Sequence, residues 1–312
     1  MLTRRHIRIK VMQSLYAYFT NQKSQNDVDE CIEDLLSHSK GFLDLYLSII
    51  SLLIELFKFT STALHDRKNK FLATEDDLNP NTKFLNNFIV KQLICNDNLA
   101  ASVSKYSSIW LREEHGIVRR LYNNLINSKL YLNYIKLNST TVDEDKSFFI
   151  EFLNNLILNN PLLHELLEEE SIYWTDDLPF LSYVIVGDIK SSNKILNKKL
   201  YKNNSDKDFA IKLFKKTVNC NNEFELIIQK LAQNWDIERI ASIDKLLIKM
   251  SFTELIFFEQ LPVKVSLNEY IEISKYYSTK KSRLFVNGIL DNAVKYFIKE
   301  GRINKKGRGL FN

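Results

Sequence analysis

Apolar residues recur at helical spacing along most of the chain. Near the start, Ile7, Val11, Leu15 and Tyr18 repeat every three or four positions, which predicts a first helix ending near Thr20. Thr3 precedes this stripe and is a residue type that caps helix N-termini. The same spacing predicts a helix after the run NWDIERI and a final helix beginning near Phe285. The pattern predicts an all-α fold.

The middle of the chain is a long series of predicted helices. The segment 42–59 is apolar on nearly every side, which is typical of a buried helix. Polar breaks, one of them at residues 174–179, separate the other candidates, which cover residues 81–98, 99–138 with an interruption near Gly116, 145–158 and 178–192. The polar stretch SSNKILNKKLYKNNSD is the best candidate for a linker. We therefore divide the chain into segments 1–20, 21–206 and 207–312.

The last segment carries the clearest local signals. Pro262 ends one helical unit, and the spacing of Ser266 and Glu269 predicts a capping box at the start of the next helix. The basic loop YYSTKKSR follows it. Gly288 lies in the middle of the final helix, where glycine is unfavourable, so we expect a close approach of another helix there.

Composition excludes several chemistries. Only 7 Gly and 4 Pro occur in 312 residues, and no glycine-rich phosphate loop or nucleophile-elbow motif is present. The three cysteines and five histidines are scattered, which argues against a disulfide framework and a metal site. We therefore expect neither a metal site nor a cofactor held by a glycine-rich loop.

The positive charge lies at the two ends of the chain. The formal net charge is +5, yet residues 1–10 carry four cations and no acid, and residues 299–312 carry five cations and one acid. This asymmetry is typical of a polyanion binder, although basic ends can also serve solubility alone. Gln13 and Ser14 interrupt the only stretch that resembles a signal peptide, and no apolar run reaches the roughly 20 residues of a membrane span. We expect a cytoplasmic protein.

Several motifs together resemble the NusB family of bacterial transcription antitermination factors. The runs are NWDIERIASIDKLLIKMSFTEL, LPVKVSLNEYIEISKYY and SRLFVNGILD, and the opening RRHIRIKVMQSLYAY resembles the first helix of the same family. The resemblance covers residues 1–20 and 207–312. It implies an all-α fold of two helical bundles, here enlarged by a helical insertion over residues 21–206 that includes a diverged second helix.

The resemblance also implies a function without catalysis. Members of this family pair with the ribosomal protein NusE, the S-ten protein of the small subunit, and the pair binds the single-stranded boxA element of ribosomal RNA transcripts. This protein would then belong to the antitermination complex of RNA polymerase on ribosomal RNA operons. It would also favour maturation of the ribosomal RNA.

Candidate contacts follow from matching the family's motifs to this chain. Single-stranded RNA is held by cations along its phosphates and by aromatic rings that stack on its bases. The cations of the first helix and of the loop before the last helix are assigned to phosphate contacts. Phe285 is assigned to base stacking, and two further residues are assigned to NusE binding. The assigned phosphate contacts are Arg4, Arg5, Arg8, Lys280, Lys281 and Arg283, and the NusE contacts are Tyr16 and Asp244.

This chain departs from the family pattern at three places. His6 stands where the family often has another arginine, which weakens the basic patch at neutral pH. Lys280 and Lys281 stand where many members carry acids, which strengthens phosphate attraction. The insertion is the third departure, and it could cover the NusE surface, extend the RNA track or create a new partner site.

Two alternative functions remain open at this stage. One is a helical protein–protein scaffold that binds no RNA, in which the basic ends serve solubility alone. For the single residues, the alternatives are core positions for Phe285 and Tyr16 and a solvated carboxylate for Asp244. The other is a module of the kind found at the front of ribosomal RNA cytosine methyltransferases. That enzyme class needs a cofactor-binding domain after the module, and the given sequence stops soon after the last predicted helix.

Overall fold

The computed structural model describes residues 2–112, 114, 116–191, 200–232 and 240–310, except for the side chain of Lys280. These residues form helices and turns, with no strand among them, which confirms the all-α prediction. The helices up to the middle of the chain are α1 Arg4–Thr20, α2 Val28–Arg67, α3 Glu75–Leu78, α4 Phe88–Ile94, α5 Asp97–Val103, α6 Ser107–Trp110, α7 Ile117–Ile126 and α8 Lys129–Lys136. The remaining helices are α9 Val142–Phe152, α10 Pro161–Glu170, α11 Ile172–Ser191, α12 Asn204–Asn219, α13 Asn221–Leu231, α14 Ser242–Phe257, α15 Val263–Tyr277 and α16 Lys280–Lys299.

The chain forms two compact units. Unit 1 contains Met1–Ser39 and Leu200–Asn312, and unit 2 contains Lys40–Lys199. Residues 28–39 of α2 therefore belong to unit 1 and residues 40–67 to unit 2. These limits differ from the sequence-based segments, which end at residues 20 and 206, because the segment after α1 and the start of α12 are both part of unit 1.

Unit 1 is built around α14. This helix is buried along almost its whole length and packs against α1, α12, α13, α15 and α16. Helix α16 buries the face predicted from its apolar spacing, including Phe285, Ile289 and Phe297. Because α14 has neighbours on most sides, even its polar side chains lie inside the protein and need partners there.

Unit 2 has an aromatic core. Phe84 makes edge-to-face contacts with Phe57, Phe148 and Phe152, the arrangement that aromatic rings prefer. The predicted buried segment 42–59 lies within α2, where Phe42 and Phe57 are fully buried. A π-helical turn, Leu153–Leu158, continues α9.

Local backbone signals explain where the structure differs from the predicted helices of unit 2. The side chain of Asn87 accepts hydrogen bonds from the backbone N–H groups of Ile89 and Val90, so α4 begins at Phe88 rather than near residue 81. Gly116 adopts the left-handed conformation (φ +53°) and separates α6 from α7. In contrast, the polar stretch at residues 174–179, which predicts a break before the candidate helix 178–192, does not interrupt the structure, because α11 continues through Pro179.

Two predictions about unit 1 are also corrected. Helix α15 begins at Val263, so Ser266 and Glu269 lie inside it and form no capping box. The hydroxyl of Ser266 instead donates to Glu254 at 2.9 Å. A Cβ atom added to Gly288 would meet nothing within 4 Å, so no close helix approach requires this glycine.

Candidate nucleic-acid interface

The N-terminal end of α1 and the turn between α15 and α16 form one surface of unit 1. Arg5 on α1 makes a bidentate ion pair with Glu269 on α15, in which Nη2 donates to Oε1 at 2.7 Å and Nε donates to Oε2 at 3.0 Å. Glu272, one turn further along α15, lies near both Arg5 and Arg283. Its pKa is lowered, first by a hydrogen bond from Lys275 and then by the charges of Lys275, Arg5 and Arg283. The structure thus brings together cations that are far apart in sequence.

Arg4 and Arg5 reach solvent while also touching acids. The Nε of Arg4 donates to Asp206 at 3.1 Å, and its side chain remains 42% exposed. The Arg5 side chain is 39% exposed, and its ion pair with Glu269 raises its pKa. Each guanidinium keeps N–H groups that these pairs do not use, so both can donate to a further anion.

Arg8 lies inside unit 1. Its side chain is only 2% exposed, and its Nε and Nη2 donate to the two carboxylate oxygens of Glu254 at 2.6 and 2.9 Å. Burial alone would lower the pKa of Arg8, but the charge of Glu254 more than offsets this and the pKa is raised. A phosphate cannot reach this guanidinium, so the assignment of Arg8 as a phosphate contact is corrected.

Of the predicted contacts on α16, two cations face outward. Lys281 is exposed and Arg283 is half-buried, and neither side chain makes a hydrogen bond or ion pair within the described part of the chain. The side chain of Lys280 lies outside the described residues. The ring of Phe285 is 3% exposed and belongs to the buried face of α16, so its assignment to base stacking is corrected.

An aromatic ring that the sequence reasoning missed lies on the same surface. Tyr276, at the end of α15, is 78% exposed, and it lies close enough to Arg5 to influence that residue's pKa. Exposed aromatic rings beside cations are the usual platform for unstacked bases. The available signal was the doublet Tyr276–Tyr277 at the start of the basic loop YYSTKKSR, which sequence reasoning passed over in favour of Phe285.

The two predicted NusE contacts have different environments. Tyr16, on the outer face of α1, is 43% exposed and is free to meet a partner. Asp244, in the first turn of α14, is 1% exposed, and one of its carboxylate oxygens has no hydrogen-bond partner in the described structure. A side chain buried to this extent offers no contact surface, so the assignment of Asp244 to partner binding is corrected.

Below the surface, a carboxylate that the sequence reasoning also missed holds the site together. Glu254 is fully buried and accepts hydrogen bonds from Arg8, Ser266 and Tyr270, the last at 2.8 Å. Arg8 in turn lies 3.5 Å from Glu269, the partner of Arg5. Ion pairs therefore connect the buried Glu254 to the exposed Arg5 and fix the angle at which α1 meets α15.

His6 supplies no charge to this surface. The side chain is 4% exposed. Burial first, and then the charges of Lys10 and Arg5, lowers its pKa to about 2. It is therefore neutral at physiological pH and lies beneath the patch rather than on it. Within the described residues, no cluster of three His, Cys, Asp or Glu side chains could hold a metal ion.

Comparisons with known proteins identify the C-terminal part of the chain. A sequence model of the NusB family matches residues 187–295. Residues 187–295 are a NusB-family domain. A protein of Salinibacter ruber named transcription antitermination protein NusB is 50% identical over 106 residues, which is 34% of this chain and 66% of that protein.

Two further relatives carry the same name. The Chloroherpeton thalassium protein is 42% identical over 104 residues, or 33% of this chain and 49% of its own length. The Thermodesulfovibrio yellowstonii protein is 44% identical over 93 residues, or 30% of this chain and 62% of its own length. The chain thus spans about half to two thirds of the curated relatives it matches. No solved structure gives a significant match.

The matched residues include the end of α11, helices α12–α15 and most of α16, and the described structure adds α1 to the compact unit that contains α12–α16. The family match does not extend to α1 or to most of unit 2. Among the described residues, no helix is both long and apolar enough to cross a membrane.

Proposed function

We propose that this protein is a non-catalytic transcription antitermination factor that binds boxA-type single-stranded RNA together with NusE. The observation that carries the proposal is the surface formed by Arg4, Arg5, Tyr276, Lys281 and Arg283. It combines exposed cations with an exposed ring, on a unit that contains the NusB-family domain. On this proposal the protein acts within the RNA polymerase antitermination complex on ribosomal RNA operons and favours RNA maturation.

RNA phosphates engage the exposed cations. The planar guanidinium group of arginine can donate two parallel hydrogen bonds to the oxygens of a phosphate. Because Arg4 and Arg5 keep N–H groups that their ion pairs do not use, a phosphate can bind without first breaking the pairs with Asp206 and Glu269. Lys281 and Arg283 need no release from another partner within the described structure. Contacts to four phosphates of a single strand predict a log–log salt slope of about −2.8, from about −0.7 per phosphate.

Tyr276 stacks on one unpaired base. Its ring is exposed and lies close enough to Arg5 to influence the pKa of that residue, and stacking of this kind contributes about 1–3 kcal/mol per base. NusE binds at the outer face of α1 around Tyr16, which lies three turns along the helix from Arg5. Removal of the Tyr276 ring therefore weakens RNA binding without changing the salt slope, since no charge is lost.

The proposal is tested by measuring RNA affinity and its salt dependence for matched variants. The test variant, Arg5→Gln with Arg283→Gln, removes two charges from the proposed surface. The control, Lys264→Gln with Lys295→Gln, removes two charges from exposed positions elsewhere on unit 1. The ligand is a fluorescein-labelled 12-nucleotide boxA-like RNA, followed by anisotropy between 50 and 200 mM salt with the full-length chain.

We expect the test variant to lower the steepness of the salt slope by about 1.4, because two phosphate contacts are lost, while the control changes it little. Tyr276→Ala should weaken binding by about tenfold or more at an unchanged slope. Equal slopes for the test variant, the control and the unaltered protein would contradict the proposal. That result would favour a protein–protein scaffold.

A further inference from the structure

The exposed face of α7, in unit 2, carries positive charge and amide groups with no acid among them. Its buried face consists of apolar and tyrosine side chains, whereas the outward positions hold Arg119, Arg120, Asn123, Asn124 and Asn127. We propose that this face is a second RNA-binding surface that contacts phosphates with its two arginines. It goes beyond the proposed function, because it lies outside the NusB-family domain and the cations assigned above.

The two arginines are free to bind a ligand. Unit 2 contains four arginines, of which Arg67 pairs with Asp77 and Arg112 pairs with Glu170. The side chains of Arg119 and Arg120 are exposed, and neither makes a hydrogen bond or ion pair with any described residue. A ligand phosphate therefore need not displace a partner among the described residues, and each guanidinium can offer two parallel N–H groups to it.

The position of these charges is unfavourable for the isolated helix. The first turn of a helix carries partial positive charge, so acids are preferred there and cations cost stability. Helices α3 and α9 of the same unit follow this preference, with three acids each in the first turn. Helix α7 begins with cations instead, and α8, which follows it after a short turn, begins with the exposed Lys129. A bound polyanion would reverse the sign of this interaction at both helix starts.

The amides on the same face favour RNA over an acidic protein partner. The side chains of Asn123 and Asn124 have no hydrogen-bond partner among the described residues, and each lies four positions after an arginine. Side chains at that spacing share one helix face. The 2′-hydroxyl groups and base edges that lie beside RNA phosphates both donate and accept hydrogen bonds. A side-chain amide also does both, so it suits these groups.

The experiment uses the full chain and a labelled, unstructured 30-nucleotide RNA that contains the boxA-like segment. The test variant is Arg119→Gln with Arg120→Gln. The control is Lys68→Gln with Lys91→Gln, which removes the same charge from other exposed positions of unit 2. The charge-preserving variant Arg119→Lys with Arg120→Lys checks whether charge is what the RNA recognises. Thermal unfolding confirms that each variant folds.

Loss of two phosphate contacts predicts a slope shallower by about 1.4 and binding about 25-fold weaker at 0.1 M salt, with the control near the unaltered protein. The lysine variant should keep the slope. Unchanged salt slope and RNA affinity in Arg119→Gln with Arg120→Gln would overturn the inference. Loss of binding to a protein partner in this variant, with RNA binding unaltered, would overturn it as well. Failure of the Arg5 and Arg283 test on the 12-nucleotide RNA would instead count against the proposed function, so the two failures are distinguishable.

Discussion

Replacing Arg8 by methionine should strongly destabilise unit 1. The change removes both charged hydrogen bonds to Glu254 and leaves that carboxylate fully buried with only the hydroxyls of Ser266 and Tyr270 as donors. Breaking a buried pair in this way costs about 3–5 kcal/mol, far more than the loss of a surface ion pair. The remaining hydroxyl donors place the expected loss in the free energy of unfolding near the lower end of that range.

A double-mutant cycle isolates the ion pair from the packing of the side chain. Glu254→Gln keeps an oxygen that accepts from one of the two hydroxyls, and its amide N–H can donate to the oxygen of the other. Arg8→Met combined with Glu254→Gln therefore leaves no buried charge unpaired. The double variant should therefore be at least about 2 kcal/mol more stable than the sum of the two single losses predicts. Urea unfolding followed by circular dichroism measures the loss, and hydrogen exchange of α1 and α14 assigns it to unit 1.

The opposite outcome would refute the buried-pair account. If Arg8→Met changed the free energy of unfolding by less than about 1 kcal/mol, the pair with Glu254 would not hold α1 in place. If the same variant also lost about 0.7 from the RNA salt slope, Arg8 would be a phosphate contact, as its sequence position first suggested. If Arg8→Met left both the free energy of unfolding and RNA binding unaltered, Arg8 would be neither a structural ion-pair partner nor a phosphate contact.

Two further predictions concern unit 1. Because burial lowers the pKa of His6 to about 2, the unfolded chain binds one more proton than the folded chain between pH 2 and 6.5. Stability should fall by about 2 kcal/mol as the pH decreases from 7 to 5. This part of the pH dependence should be absent in His6→Gln, and an identical pH profile for the two proteins would contradict it. Gly288→Ala should raise the free energy of unfolding by about 0.5–1 kcal/mol, since the added methyl group meets open space within a helix; a lower melting temperature would contradict this.

The helices of unit 1 were predictable because their apolar spacing is regular, although α15 begins at Val263 rather than at the residues that resemble a capping box. Thr3 accepts from the backbone N–H of His6, and α1 ends at Thr20 as its stripe predicts. The helices of unit 2 were less predictable, since short caps such as Asn87 and a proline inside α11 decide where helices begin and continue. Residues 233–239, which contain most of NWDIERI, lie outside the described structure.

At the candidate site, the sequence identified the charged residues but not how deeply each side chain is buried. Arg8 lies three residues before Val11 and seven before Leu15, so it falls on the apolar stripe of α1, and this spacing was the signal that it would be buried. Glu254 is likewise an acid within an otherwise apolar helix. Such positions need a partner from another element, and which element supplies it depends on how the helices pack. The pattern within one helix does not contain that information.

Anisotropy of a labelled boxA-like RNA with this protein, with and without NusE, at two salt concentrations tests the central claim most directly. The account predicts binding that NusE strengthens and that salt weakens, with a slope near −2.8 for the protein alone. Absence of binding in both conditions, or binding that neither NusE nor salt affects, would contradict it.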